Sequence, residues 1–155
     1  MKEYYHLGEL LEKIFHHSSS LEQKYIAQSS FSDISANDMH ILEAIGKDEA
    51  RNMSTVARKV RVTVGTLTIA MNNLVKKGYV ERRRGEKDRR VVLVMLTDKG
   101  RAAVTYHESF VHQMGTLFKN ELDLEQCKEL NSILERLEEH LLHQMERTKE
   151  GNADG

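Results

Sequence analysis

The chain has 155 residues, no proline, nine glycines and 30% charged side chains, a composition that favours helices and argues against a turn-rich sandwich or barrel. No apolar run approaches the roughly 20 residues needed to cross a bilayer, and Met1 to His6 lacks the apolar core of a signal peptide, so a cytoplasmic protein without membrane contact is expected. The net charge of −1 hides a segregation: residues 51–101 hold 14 Lys/Arg against four acids, or +10, and the remainder is −11, as in a phosphate-binding module joined to a separate scaffold.

Residues 4–28 place Tyr4, Leu7, Leu10, Leu11, Ile14, Phe15, Ser18, Leu21 and Tyr25 at helical spacing and read as one long helix. Ser29 to Asp33 breaks it. Ser35 then caps a short second helix, with Asp38 three positions on in a capping-box arrangement, Met39, Leu42 and Ile45 on its apolar side and Gly46 as terminator. A third helix is expected to start at Ser54, with Val56, Ala57 and Val60 inward. It gives way after Arg61 and Val62 to the most distinctive stretch, residues 63–78. Thr63 caps its first turn, Leu67, Ala70, Met71 and Leu74 recur at helical spacing, Lys76 and Lys77 suit the negative C-terminal end, and Gly78 supplies a left-handed stop. The other face presents Val64, Gly65, Thr66, Thr68, Ile69, Asn72 and Asn73 and carries no acid. Hydroxyl, methyl and amide groups are the types that read base edges in a major groove, and a glycine in the first turn permits close backbone approach. From this stretch alone, an ordinary packed helix is an equal alternative.

The next segment tips the balance. Two β-prone runs, 79–83 and 91–96, flank a loop whose surroundings hold Arg82, Arg83, Arg84, Lys87, Arg89 and Arg90 against Glu86 and Asp88. A hairpin this basic can follow phosphates and place an arginine in a narrow minor groove. Directly after two short helices joined by a tight turn, it makes a winged helix-turn-helix, a far more specific signal than either part. The expected DNA contacts are therefore Thr63, Val64, Gly65, Thr66, Thr68, Ile69, Asn72, Asn73, Arg82, Arg84, Lys87 and Arg89.

The string Asp88-Arg89-Arg90, then Leu96-Thr97-Asp98-Lys99-Gly100-Arg101, preceded by Leu74, Lys77-Gly78-Tyr79-Val80-Glu81-Arg82, resembles the signature of the MarR-type transcriptional regulators across essentially the whole chain. Within that family, Met39-His40, Ile45-Gly46, Val62 to Thr68, Asn72-Asn73-Leu74 and Asp88 to Val92 are similar to the FabT subgroup of fatty-acid-synthesis repressors. The resemblance implies that Asp88 pairs with Arg90 to brace the wing while Arg89 reaches the minor groove. It also implies acyl-acyl carrier protein as corepressor, with Arg58, Lys59 and Arg61 as a basic patch for the acidic carrier or, alternatively, for DNA phosphates.

From Thr97 a long helix is expected to about Asn120, with Val104, Phe110, Val111, Met114, Leu117 and Phe118 at core spacing. Asp123 then caps a last helix bearing Leu130, Ile133, Leu134, Leu137, Leu141, Leu142 and Met145. Such a stripe needs a partner surface, and the first helix with its symmetry mate supplies one in a homodimer. The fold class read here is mainly α: a winged helix-turn-helix at 34–97 with a small β-hairpin wing, a helical dimerisation region at 1–30 and 98–148, and a flexible tail at 149–155.

The glycines stand singly, without a phosphate-loop or dinucleotide pattern, so no enzymatic activity and no cofactor are expected. Cys127 is alone, which excludes an internal disulfide, and its acidic neighbours do not favour a thiolate. No metal site is assigned, although zinc-sensing members of the family use histidines on the second and fifth helices, where His40 and His107 fall near the conceivable ligands Glu22 and Glu108. An apolar effector would instead use Leu11, Phe15, Met39, Leu42, Phe110 and Met114, residues that by sequence alone read more readily as plain core. The expected partners are a double-stranded DNA operator, a second copy of the chain and, by resemblance, acyl-acyl carrier protein. The alternatives are a MarR-type regulator answering zinc or a small aromatic molecule, and a protein-interaction module whose basic hairpin docks an acidic partner without any DNA role.

Overall fold

The computed structural model describes residues 1–85, 88 and 90–151, so the expected DNA contacts Lys87 and Arg89, and residues 152–155 of the expected tail, lie outside the described residues. The elements are α1 (Lys2–Ala27), α2 (Ala36–Ile45), β1 (Arg51–Asn52), α3 (Met53–Val60), α4 (Val64–Lys76), β2 (Val80–Arg84), β3 (Val92–Leu96), α5 (Asp98–Thr116), a 3-10 turn (Leu117–Asn120) and α6 (Leu124–Gly151). They fall into two compact units, Met1–Val111 and His112–Gly155.

Local chemistry sets most of the helix ends. Ser35 Oγ accepts from the Asp38 amide at 3.1 Å while Asp38 Oδ2 accepts from the Ser35 amide at 3.0 Å, satisfying two otherwise orphan donors of α2. Thr63 Oγ1 does the same for the Thr66 amide at 3.1 Å, and Asp123 and Gln126 cap each other reciprocally at the start of α6. Gly46 and Gly78, at φ of 85° and 79°, end α2 and the turn after α4 in a backbone region that side chains disfavour. The start of α3 departs from expectation. Asn52 is the cap: its side chain accepts from the Thr55 amide at 2.8 Å, so the helix begins one residue earlier than expected, at Met53.

The sheet is antiparallel in the order β1-β3-β2. Val80 lies opposite Leu96, Arg82 opposite Val94 and Arg84 opposite Val92. This register buries Val80, Val94 and Leu96 and leaves Arg82, Arg83 and Arg84 exposed. Two-residue β1 extends the expected hairpin to three strands, pairing Arg51 with Val94.

In the unit Met1–Val111, α4 is held by Leu67, Met71 and Leu74, all fully buried in a core shared with Met39, Leu42, Ile45, Val56, Tyr79 and Val94. Burial on that scale stabilises by about 1.5–3 kcal/mol per large aliphatic side chain. With one face of α4 committed to the core, the opposite face is fixed outward.

The wing root is tied to the start of α5. Thr97 Oγ1 donates to the Gly78 carbonyl at 2.6 Å, the Thr97 amide donates to the Tyr79 carbonyl at 3.0 Å, and the Gly100 amide donates to Thr97 Oγ1 at 3.1 Å. Gly100 has no room for a side chain. A Cβ there would collide with the Tyr79 carbonyl oxygen and stand 3.2 Å from the Tyr79 carbonyl carbon and 3.3 Å from Leu96 Cβ. The Tyr79 hydroxyl donates to Asp33 Oδ1, and Lys99 Nζ lies 4.1 Å over the Tyr79 ring and 3.6 Å from Asp33 Oδ2. The Tyr79 hydrogen bond, aided by Lys99, holds the Asp33 carboxyl below the usual carboxylate range. Burial, aided by Asp33, pushes the Tyr79 phenol upward.

The fifth helix is shorter than expected, ending at Thr116 before the 3-10 turn. Its buried side is Gly100, Ala103, Val104, His107 and Phe110, whereas Val111, Leu117 and Phe118 are exposed. In α1 only Ile26 is buried; Tyr4, Leu7, Ile14 and Phe15 are exposed. In the unit His112–Gly155, α6 runs to Gly151, three residues past the expected end at 148, and exposes Ile133, Leu134, Leu137, Leu141 and Met145. Among the described residues no helix is long and apolar enough to cross a membrane.

Candidate nucleic-acid interface and a buried histidine cluster

The outward face of α4 presents Val64, Gly65, Thr66, Thr68, Ile69, Asn72 and Asn73, all exposed, with Ile69 at 69%. Thr63 is spent on the cap, and its hydroxyl also lies 2.9 Å from that of Thr66. The Thr68 hydroxyl donates to the Val64 carbonyl at 2.7 Å, so toward a ligand it offers lone pairs alone. Arg61, Lys76 and Lys77 add exposed cations at the two ends of this face, and the helix carries no acid.

Beside α4 stands the wing. Arg82 Nη2 donates to Asn72 Oδ1 at 2.7 Å, tying β2 to the third turn of α4, and Arg83 pairs with Glu81 at 2.8 Å. Arg84 is exposed at the end of β2. A cavity of about 210 Å³ lies between the two elements, lined by Met53, Thr68, Arg82 and Val92. Asp88 contacts Arg90 through the backbone: its Oδ1 accepts from the Arg90 amide at 2.9 Å, and its carbonyl accepts from the Val91 amide at 3.1 Å. These contacts make a local turn at the wing. Gly85 permits it, since a Cβ there would come within 2.8 Å of the Asp88 carbonyl oxygen.

A family profile described as "Transcriptional regulator SarA/Rot" matches residues 16–107. The chain is a SarA/Rot/MarR-family winged-helix regulator. The regulator is 30% identical over 104 residues to the HTH-type transcriptional regulator BilQ of Clostridium symbiosum, covering 67% of this chain and 72% of that protein. It is also 30% identical over 100 residues to SarZ of Staphylococcus haemolyticus, covering 64% and 68%. Its structure is similar to that of Streptococcus pneumoniae FabT in complex with DNA, with a TM-score of 0.84 and 36% identity over 90% of this chain and 98% of that one. It is accordingly a DNA-binding transcriptional regulator and not an enzyme, which sets aside a protein-interaction module without a DNA role.

Elsewhere in the regulator's first unit, three helices converge on one imidazole. His107 on α5, 4% exposed, has Nε2 at 2.7 Å from Glu22 Oε1 of α1 and Nδ1 at 2.5 Å from Glu43 Oε1 of α2. His40 Nε2 lies 2.9 Å from the same Glu22 oxygen. The Glu43 hydrogen bond and, next to it, Glu22 raise the His107 pKa against the opposing effect of burial. The sequence placed Glu22, His40 and His107 here but missed Glu43. Glu108, the other conceivable ligand, is instead paired with Lys47 at 2.5 Å.

The expected apolar effector residues are dispersed. Met39 and Leu42 are wholly buried in the core and Phe110 is 6% exposed beside the His107 ring, while Leu11 and Phe15 are 43% and 74% exposed on α1. Met114 belongs to the second unit. A cavity of about 370 Å³ at the α1–α2 junction is lined by none of the six; its wall includes Gln23, Ile26, Ser32, Ile34 and Asn37. Cys127 is half-buried.

Proposed function

We propose that the regulator is a dimeric repressor that sets α4 into the major groove and the wing against the minor groove of a pseudo-palindromic operator, controlling fatty-acid synthesis genes with acyl-acyl carrier protein as corepressor. The observation that carries this reading is the acid-free, exposed face of α4 beside an arginine-rich strand, in a chain whose fold is similar along 90% of its length to that of FabT in complex with DNA. Phosphate contacts supply affinity and base edges supply register. Residues 34–97 would form the DNA-binding domain, with 1–30 and 98–148 as the dimerisation region. The apolar side chains exposed on α1 and α6, from Tyr4 and Phe15 to Leu134 and Leu141, are explained by burial against a second copy.

The acyl reading uses Leu11, Phe15, Met39, Leu42 and Phe110 of the first unit as the wall of a cavity that would have to open in the dimer. Each buried methylene is worth up to about 0.8 kcal/mol, so long chains should act far more strongly than short ones. The experiment is a titration of operator affinity with acyl carrier proteins bearing chains of increasing length, at two salt concentrations. Affinity should fall by about 0.9 log units per phosphate contact per decade of salt and rise with chain length. Indifference to every chain length would remove the acyl reading and leave DNA binding intact.

A second reading, regulation by a divalent metal, is favoured by Glu22, His40 and His107, whose ligand atoms all lie within 4.8 Å of one another. One carboxylate and two imidazoles with a position left open fit a zinc-like ion, and Glu43 at Nδ1 would orient the His107 ring from behind. Calorimetric titration with zinc distinguishes the two readings: one site per chain, lost in His40→Ala, supports the metal, and heat indistinguishable from buffer discards it.

A further inference from the structure

The contact between Arg82 and Asn72 carries more than affinity. An arginine has five donors and no acceptor, so the 2.7 Å contact from Arg82 Nη2 fixes which end of the Asn72 amide faces the wing: the oxygen. The amide NH₂ is then the end left for a ligand. Arg82 is itself placed by the sheet, two residues after buried Val80 and opposite buried Val94, while Asn72 follows buried Met71 and precedes Leu74 by two positions on α4. Neither position depends on a long loop.

The consequence is chemical. An asparagine reads adenine by using both ends of its amide, accepting from N6 and donating to N7. With its oxygen turned to Arg82 and one of that oxygen's two lone pairs taken, Asn72 keeps both N–H donors and a reduced acceptor. It therefore favours a major-groove edge that presents acceptors alone, which is guanine with O6 and N7, over adenine, whose N6 donor calls on the oxygen already turned to Arg82. The positive partner also polarises the amide and strengthens its remaining N–H donors.

We propose that Arg82 is a positioning residue for base readout: it biases Asn72 toward donation, so the base pair facing the third turn of α4 presents guanine rather than adenine. The proposal rests on the DNA-binding reading of α4. Its test is a library of duplexes randomised under each half-site, selected with the unmodified protein and with Asn72→Ala, Arg82→Met and Arg82→Lys, alongside a melting curve for each. Asn72→Ala identifies the position, by losing preference there and nowhere else. At that position the unmodified protein prefers guanine, Arg82→Met shifts the ratio toward adenine by roughly tenfold, and Arg82→Lys, still a pure donor, keeps guanine. The proposal is overturned if the position marked by Asn72→Ala already prefers adenine, if no position responds to Asn72→Ala, or if Arg82→Met weakens all four base pairs equally, which would make Arg82 a phosphate contact. Failure of the unmodified protein to select any sequence would instead remove the DNA-binding reading beneath it.

Discussion

Replacing Gly100 by alanine sets two effects of opposite sign against each other. Gly100 lies in the first turn of α5, where alanine is a better helix former by about 1 kcal/mol, so propensity alone says the variant should be more stable. The new methyl would enter space held by the Tyr79 carbonyl group and Leu96 Cβ, at 3.2 Å from the carbonyl carbon and closer still to its oxygen. Neither neighbour is the free end of a flexible side chain. Relief requires the start of α5 to move away from the root of β2, across the hydrogen bonds from Thr97 to Gly78 and Tyr79. Overpacking of this kind costs roughly 1–3 kcal/mol, and weakening two hydrogen bonds adds about 1 kcal/mol each. The clash wins, leaving a net loss of about 2–4 kcal/mol. For a chain of this size that lowers Tm by roughly 5–15 °C, measurable by calorimetry. Operator affinity should fall as well, because the displaced Tyr79 immediately precedes β2. A Gly100→Ala protein that melts at or above the parent temperature would refute the reasoning.

Arg61 occupies left-handed backbone at φ 59°, at the C-cap of α3. Arg61→Gly should gain about 0.5–1 kcal/mol in urea unfolding while reducing the salt slope of DNA binding by about one contact, separating stability from affinity. Tyr79→Phe keeps the buried ring and removes the hydrogen bond to Asp33, at a cost of about 1 kcal/mol. Because the Asp33 carboxyl is depressed in the folded protein, its contribution is present above the unfolded pKa and lost as pH falls through the folded one; the Tyr79→Phe variant should lose less stability than the parent over that acidic window. His107→Leu removes the group between Glu22 and Glu43, whose side chains are 13% and 34% exposed, and should cost about 2–4 kcal/mol in urea, with part recovered by adding Glu43→Gln.

The parts of the fold that were legible in the sequence are those whose cause is local. Ser35, Thr63 and Asp123 cap helices within three residues of themselves, and Gly78 stops α4 with its own backbone, so each could be read without knowing the tertiary structure. Strand β1 could not. Two residues carry no periodicity, and Arg51–Asn52 becomes a strand only because β3 is there to pair with it. The same limit explains α5. Its expected stripe holds at Val104 and Phe110 and fails at Val111, Leu117 and Phe118, while the packed side also takes in Gly100, whose missing side chain lets it sit against the Tyr79 backbone, and Ala103. A pattern scan weights large apolar residues and overlooks a face selected for smallness.

The site divides along the same line. Absence of acid from one face of α4, and clustering of arginines just after it, are properties of composition and spacing, so this candidate surface was visible from the sequence. Which atoms on that surface are free was not. Whether Thr68 can donate depends on its bond to the Val64 carbonyl, and which end Asn72 offers depends on a guanidinium ten residues away on a different element. Likewise His40 and His107 were picked out by residue type, but Glu43 is an ordinary helical glutamate until α2 and α5 bring its carboxylate to within 2.5 Å of His107 Nδ1. Residue type along the chain locates a surface. Which donors and acceptors that surface has free is set by contacts between elements.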